Sequence, residues 1–313
     1  MPELPEVENL RRSLEPLVVG ARVLCAELLR DDMLASRAPT ARVRHALGAL
    51  EQRSIREIRR HGKQLLLCTD GPALAVHLGM TGVLLVTAPE DPTRPHLHAR
   101  LRLAAAEHNA GSGARGLSRR QPREIRFHDP RRFGWLSLHC SESDAVERCW
   151  SRLGPDALSI TSAQLAERLA ARRTAVKAAL LDQSIVAGLG NIYVDEALFR
   201  AGLHPKQPAG SLDGPKLSTL AEACRLILHA ALASGGSTIR DYVDACGLTG
   251  RFAGQHRVYG RAGQPCLACG STLRRGVIGG RTTVHCPVCQ PLRRHRAIRA
   301  TSQPASRAAG RSR

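Results

Sequence analysis

Met1-Pro2-Glu3-Leu4-Pro5-Glu6-Val7-Glu8 opens the chain, and the remaining motifs take their meaning from it. Pro2 is small enough for the initiator Met1 to be cut away, which would leave a secondary amine at the tip of a helix. A chain-terminal amine has a pKa near 8 against roughly 10.4 for a lysine, so on the order of a tenth of it is neutral at pH 7. Attack of a secondary amine on a sugar carbon gives a cationic iminium, an electron sink for later proton abstraction. Glu3 is placed to handle the protons. The same stretch also reads as an ordinary helix start. Proline suits a first turn, acids suit the positive end of the helix dipole, and Leu4, Val7, Leu10, Leu14 and Leu17 form an apolar stripe. The two readings are compatible.

Working outward, the 313 residues suffice for two domains with cores of their own and a small appendage. Aromatics make up only 3%, so aliphatic side chains must fill those cores. The formal charge of +19 is far too basic for a protein that handles small neutral substrates, and calls for a polyanionic partner. There is no apolar run of about 18 residues and no basic, apolar, small-residue leader, so no membrane contact or secretion is expected. A cytoplasmic, nucleoid-associated monomer is the expectation. Of ten cysteines, Cys25, Cys68, Cys140, Cys149, Cys224 and Cys246 show no pairing pattern and read as reduced thiols.

After the first helix, short apolar runs recur at residues 22–30, 54–59, 64–69, 73–78, 83–87 and 96–104, separated by turns such as Asp70-Gly71-Pro72. This predicts a largely antiparallel sandwich with one helix around Ala41 to Leu50. Residues 105–123 shift to Gly, Ser and Arg and read as a long basic hairpin loop. The returning strand, Glu124 to His128, runs into Asp129-Pro130-Arg131-Arg132-Phe133-Gly134. A rigid turn carrying guanidinium groups and a ring suits entry into a duplex, although an exposed turn with a buried Phe would look the same.

Past Gly154-Pro155 the pattern is helical. Thr161 with Gln164 forms a capping box, Thr174 is placed to cap Ala175 to Leu181, Asn191 to cap Ile192 to Ala201, and a longer helix runs from Pro215 to Ser234. Ala187-Gly188-Leu189-Gly190-Asn191 reads either as a Gly turn with an Asn cap or as a phosphate site at a helix N-terminus; Arg172 and Arg173 upstream favour phosphate.

Near the end stands Cys266-x2-Cys269-x16-Cys286-x2-Cys289. Two close pairs of thiolates match one structural zinc ion, and a closed set of four leaves no open position for catalysis. Between the pairs, Arg274, Arg275, Gly276, Gly279, Gly280 and Arg281 form a basic hairpin tip. Residues 292–313 hold seven arginines without apolar periodicity and read as a disordered basic tail.

Together with His61-Gly62-Lys63 and His77-Leu78-Gly79-Met80-Thr81-Gly82, these motifs resemble those of the formamidopyrimidine-DNA glycosylase family over residues 1 to about 291. The resemblance implies an α+β protein that removes oxidised purines from damaged double-stranded DNA. Its parts would be an N-terminal antiparallel beta-sandwich with flanking helices (1–140), a helix-two-turn-helix domain (150–240) and a four-cysteine zinc ribbon (257–291). It further implies Pro2 as the Schiff-base nucleophile, Glu3 as the proton donor, Lys63 as the acid for beta-elimination and Arg281 as the arginine of delta-elimination. His96, Arg131 and Arg172 fall where the family contacts DNA, and Asn191 where it binds phosphate near the lesion. Met80, Arg131 and Phe133 match the trio that fills the space left by an extruded nucleotide, and Thr238 to Gly254 resembles a loop that closes over the flipped base.

Three features depart from the family pattern. Arg172 and Arg173 stand where lysines are usual, and both the 105–123 insertion and the basic tail lie outside the family core. The alternatives are a non-catalytic zinc-ribbon DNA-binding protein and an endonuclease VIII-like enzyme for oxidised pyrimidines. The latter typically has Gly where this chain has Leu4.

Overall fold

The computed structural model describes residues 2–33, 46–105, 121–238 and 242–292. Helix α1 (Leu4–Val18) begins at a tight cap in which the Glu3 backbone N–H donates to the Glu6 carboxylate at 2.8 Å. Its apolar stripe divides between two cores. Val7, Leu10, Leu14 and Leu17 pack into the sandwich, whereas Leu4 belongs to the core of the helical domain. The helix therefore bridges the two bodies, and its first residues lie at their junction.

The sandwich has two four-stranded antiparallel sheets. One orders β1 (Val23–Leu28), β6 (Leu97–Leu103), β7 (Arg123–His128) and β5 (Val83–Thr87); the other orders β2 (Ile55–His61), β3 (Gln64–Thr69), β4 (Ala73–His77) and β8 (Trp135–His139). Strand β3 reads as an unbroken apolar run because both its faces are covered. Leu65 and Leu67 face the other sheet, while Leu66 and Cys68 lie under the short helix α2 (Glu142–Ala145) and its neighbours Trp135 and Trp150.

Two sequence expectations change here. The helix around Ala41 to Leu50 reduces, within the described residues, to a 3-10 segment over Ala46–Leu50. Strand β8 was not anticipated. The basic hairpin loop of residues 105–123 and the tail from 292 fall almost wholly outside the described residues.

The helical domain contains α3 (Ser162–Leu169), α4 (Val176–Leu181), α5 (Asn191–Arg200) and α6 (Gly214–Ala233). The Thr161–Gln164 box forms as the spacing implies. Thr174 does not cap α4: the cap residue is Ala175, and the first N–H groups of the helix, Val176 and Lys177, donate instead to the carbonyls of Gln207 and Pro205. Asn191 is likewise not a cap. The helix begins with Asn191 after Gly190, and the Asn191 side-chain amide donates to the Thr282 carbonyl at 2.9 Å.

Beyond α6 the chain returns to the sandwich, where Val86 donates to the Ala245 carbonyl at 2.9 Å and the Tyr242 hydroxyl donates to the Glu6 carbonyl at 2.9 Å. It then forms the hairpin β9 (Arg274–Ile278) and β10 (Arg281–His285). Gly279 and Gly280 both have positive φ at its two-residue turn, the conformation that matches strand twist and favours glycine.

Candidate active site

A cavity of about 810 Å³ lies between the sandwich and the helical domain. Pro2, Glu3, Lys63, Met80, Arg131, Asn191 and Arg281 all line it. Residues separated by most of the chain thus meet at one place.

Glu3 is 2% exposed, and its carboxylate accepts from the backbone N–H groups of Ile192 at 3.0 Å and Tyr193 at 3.3 Å. The N-terminus of α5, read from sequence as a candidate phosphate site, spends those two donors on Glu3. Burial raises the Glu3 carboxyl above its ordinary range, opposed by the Lys63 charge and these two hydrogen bonds. Two glycines make the approach possible. A Cβ on Gly190 would fall 2.3 Å from Cδ of Glu3, and one on Gly188, whose φ is +107°, would fall 2.5 Å from the Leu4 side chain.

Lys63 sits in the β2–β3 turn, whose shape depends on Arg60 and Asp156, residues that no sequence motif marks. Gly62 donates its N–H to Asp156 at 2.8 Å, and Arg60 reaches both Asp156 at 2.6 Å and the Gly62 carbonyl at 3.0 Å. Arg60 also pairs with Glu8 of α1 at 3.0 Å. Burial lowers the Lys63 ammonium below its ordinary range, with Glu3 and Glu6 opposing and Arg281 assisting.

Glu6, which the sequence assigned only to a helix start, is buried beside Glu3. It accepts from the Tyr193 hydroxyl at 2.5 Å and from the Ser237 N–H at 2.7 Å. Burial, then repulsion from Glu3, raises its pKa to about 7. His77, another lining residue, is pushed down to about 4 by burial and by Lys63, which keeps its ring neutral.

At the mouth stands the turn after β7. Asp129 is fully buried and accepts from the Thr81 hydroxyl at 2.5 Å, the Arg131 N–H at 3.2 Å and the Gly134 N–H at 2.7 Å. This fixes a turn whose Arg131, Arg132 and Phe133 side chains are exposed. Phe133 is 53% exposed, and the Arg131 guanidinium lies 4.8 Å from the centre of its ring. The turn that carries Met80 docks directly against it, since a Cβ on Gly79 would meet the Phe133 carbonyl carbon at 2.3 Å. Phe133 is therefore not the buried anchor of an ordinary turn.

His96 and Arg172 are exposed and do not line the cavity. The His96 carbonyl accepts from Asp129, and the Arg172 guanidinium donates to the Arg168 carbonyl at 2.8 Å. Arg281 starts β10, the strand that the helical domain grips through its next residue. The buried Lys177 ammonium donates to the Thr282 carbonyl at 2.8 Å and to Asp195 at 2.6 Å.

In the last segment the sulfurs of Cys266, Cys269, Cys286 and Cys289 all lie within 4.8 Å of one another. Zn–S bonds of about 2.3 Å in a tetrahedron require S–S edges of about 3.8 Å. The Cys269–Cys286 and Cys266–Cys289 separations are 3.4 and 3.9 Å, so the set fits one metal ion.

The model of the formamidopyrimidine-DNA glycosylase N-terminal domain matches residues 1–136, and that of the formamidopyrimidine-DNA glycosylase H2TH domain matches residues 153–243. The chain belongs to the formamidopyrimidine-DNA glycosylase family. It is 41% identical over 295 residues to the formamidopyrimidine-DNA glycosylase of Gloeobacter violaceus, covering 93% of this chain and 98% of that one. To the Thermomicrobium roseum glycosylase it is 43% identical over 303 residues, with 93% and 100% covered. Among solved structures, the Lactococcus lactis Fpg in complex with DNA containing an abasic site superposes with a TM-score of 0.79 at 31% identity, covering 92% and 99%. The Thermus thermophilus MutM (Fpg) protein gives 0.76 at 40% identity, covering 92% and 98%. Family and fold thus agree with the motif reading along nearly the whole chain. Among the described residues, no helix is long and apolar enough to cross a membrane.

Proposed function

We propose that this chain is a base-excision repair enzyme that removes 8-oxoguanine and formamidopyrimidines from duplex DNA and then cleaves the abasic strand. The observation that carries this is the meeting of Pro2 and Glu3 in one cavity with Lys63 and Arg281. With Met1 removed, the Pro2 amine attacks the sugar carbon that holds the base, and the base departs. Glu3, with its carboxyl raised by burial, supplies a proton that assists base loss and sugar opening. The resulting iminium acidifies the adjacent carbon, which gives up a proton; a double bond forms to the next carbon, and the 3′ phosphate leaves from that carbon by beta-elimination with Lys63 as the acid. Arg281 serves the second, delta, elimination, leaving a one-nucleotide gap.

The target base has to leave the stack to reach this cavity, and Met80, Arg131 and Phe133 fill the space it vacates. His96 and Arg172 contact the DNA backbone, and the remaining donor capacity of Asn191 faces a phosphate near the lesion. In this scheme residues 1–140 carry the chemistry, 150–240 grip the duplex, and 257–291 present Arg281. Cys266, Cys269, Cys286 and Cys289 hold a single structural zinc ion, which when bound closes the ribbon around its own small core. The enzyme works as a monomer in the cytoplasm, on the nucleoid.

Borohydride reduction in the presence of a duplex carrying 8-oxoguanine tests the nucleophile. A covalent protein–DNA complex is expected, and Pro2→Gly or retention of Met1 should nearly abolish it. Undiminished trapping by protein whose intact mass includes Met1 would overturn the assignment.

A further inference from the structure

The outer face of the second sheet carries a side-chain arrangement that glycosylase chemistry does not use. His139 ends β8, while Asp144 and Cys149 come from α2 and the π-helical turn (Val146–Trp150) that continues it. The Cys149 sulfur lies 3.3 Å from Nε2 of His139, whose Nδ1 lies 3.3 Å from Oδ2 of Asp144. A carboxylate only accepts, so the ring proton sits on Nδ1 and Nε2 faces the thiol as an acceptor. Asp144 is held in turn. Its N–H donates to the Ser141 hydroxyl at 3.2 Å, and its other oxygen pairs with Arg148 at 2.5 Å. His139 is 7% exposed, wedged where it touches both partners.

We propose that Cys149 is a nucleophilic thiol site, served by His139 as base and by Asp144 as the group that orients the base, and that small hydroperoxides oxidise it. A nucleophile within hydrogen-bond reach of a base that a third group orients is the arrangement on which nucleophilic thiols depend. Burial, and then the charge of Asp144, holds the Cys149 thiol above its ordinary range. Little thiolate forms unaided, so the proton has to pass to Nε2 as the sulfur attacks. The sulfur bonds to one peroxide oxygen, the O–O bond breaks, and the imidazolium returns the proton to the departing oxygen. The thiol becomes a sulfenic acid, oxidised by two electrons, and the hydroperoxide is reduced to an alcohol, or to water where it is hydrogen peroxide. The half-buried sulfur packs against the apolar cluster of Leu66, Cys68 and Ala145, which suits a compact neutral oxidant and disfavours a charged or bulky one.

The test treats the full chain with hydrogen peroxide at pH 7 in the presence of dimedone and maps the adducts residue by residue by mass spectrometry. Cys149 should be labelled about tenfold faster than Cys140, which is exposed and lies only nine positions earlier in the chain. His139→Gln should bring Cys149 down to the Cys140 rate. Asp144→Asn separates two causes. Its charge opposes thiolate formation, so if charge alone governed this thiol the variant would react faster; if Asp144 acts through His139, it reacts more slowly. Slower labelling in both variants, with DNA cleavage unchanged, supports the site. Labelling of Cys149 no faster than that of Cys140, no change in His139→Gln, or faster labelling in Asp144→Asn would overturn it.

Discussion

The Glu3 carboxylate accepts from the Ile192 N–H at 3.0 Å across 189 positions of sequence, so the start of α1 and the start of α5 form a single unit. Gly190 is the residue that permits it, because a Cβ there would sit 2.3 Å from Cδ of Glu3. Displacement of a reacting group by about 1 Å can cost on the order of a hundredfold in rate. Gly190→Ala should therefore slow excision of 8-oxoguanine by about that factor, measured in single turnover with excess enzyme. Borohydride trapping on a preformed abasic site should survive, since the Pro2 amine is not displaced. Normal excision by this variant would mean that Glu3 does not act from its observed position.

Glu6 ties stability to pH. Its folded-state pKa of about 7 lies above the ordinary 4.5, so between those values the native state retains a proton that the unfolded chain has released. The sign follows: this contribution is fully present below about pH 4.5 and is lost as pH rises through about 7. Its size is on the order of 3 kcal/mol, shared with the neighbouring Glu3. Urea denaturation at a series of pH values should show stability falling across this window, and Glu6→Gln should flatten the curve there. A wild-type stability that rises steadily from pH 5 to 8, with the same profile in the variant, would contradict the raised pKa.

Removing a zinc ligand should affect presentation rather than chemistry. The hairpin that carries Arg281 is held at one end by the cysteine set and at the other by Lys177 and Asn191, which both donate to the Thr282 carbonyl. Cys286→Ser should release the metal, weaken DNA binding and raise the share of product stopped after beta-elimination. The N-terminal domain should stay folded, and the metal content of active wild type should be one zinc per chain. Metal-free wild type with full activity would rule the ion out.

Much of this organisation is legible from local pattern. Gln64 to Thr69 and Val83 to Thr87 form strands over the very residues that the apolar runs mark, and the Thr161–Gln164 box starts its helix. Periodicity identifies an apolar face but not what covers it, which is why Leu4 reads as part of one stripe yet packs into a second core. The same limit explains Thr174, whose capping role is taken by carbonyls of residues 205 and 207, far away in sequence. At the site, Pro2, Glu3 and Lys63 stand in motifs that announce chemistry. The roles of Glu6, Arg60, Asp156 and Asp129 are not legible in this way, even where the residue lies inside such a motif, because each acts through partners from other segments. Strand β8 is not legible because Trp135-Leu136-Ser137-Leu138-His139 is short and its apolar side chains divide between two faces, Leu136 and Leu138 packing into the sandwich and Trp135 against the opposite cluster.

The Arg131–Phe133 pair bears on lesion class. Oxidation of guanine to 8-oxoguanine changes its pairing with cytosine only slightly, so recognition has to come from the pocket and from probing the partner strand. The buried Asp129 fixes the turn by accepting from Thr81, Arg131 and Gly134, and leaves the Arg131 guanidinium stacked 4.8 Å from an exposed ring. A planar fork with several donors can meet the acceptors of an orphaned cytosine, while the ring wedges between base steps. Arg131→Ala should accordingly slow base removal from a duplex with 8-oxoguanine opposite cytosine far more than cleavage of a preformed abasic site. Loss of one good bidentate contact is worth about 1–3 kcal/mol, or roughly 5- to 150-fold in the excision rate. Wild-type enzyme should also cleave the 8-oxoguanine duplex faster than one with thymine glycol opposite adenine in a side-by-side single-turnover assay. Faster cleavage of thymine glycol would assign the cavity to oxidised pyrimidines, and equal losses on both 8-oxoguanine and abasic substrates in Arg131→Ala would make Arg131 a general DNA contact rather than a probe of the orphaned base.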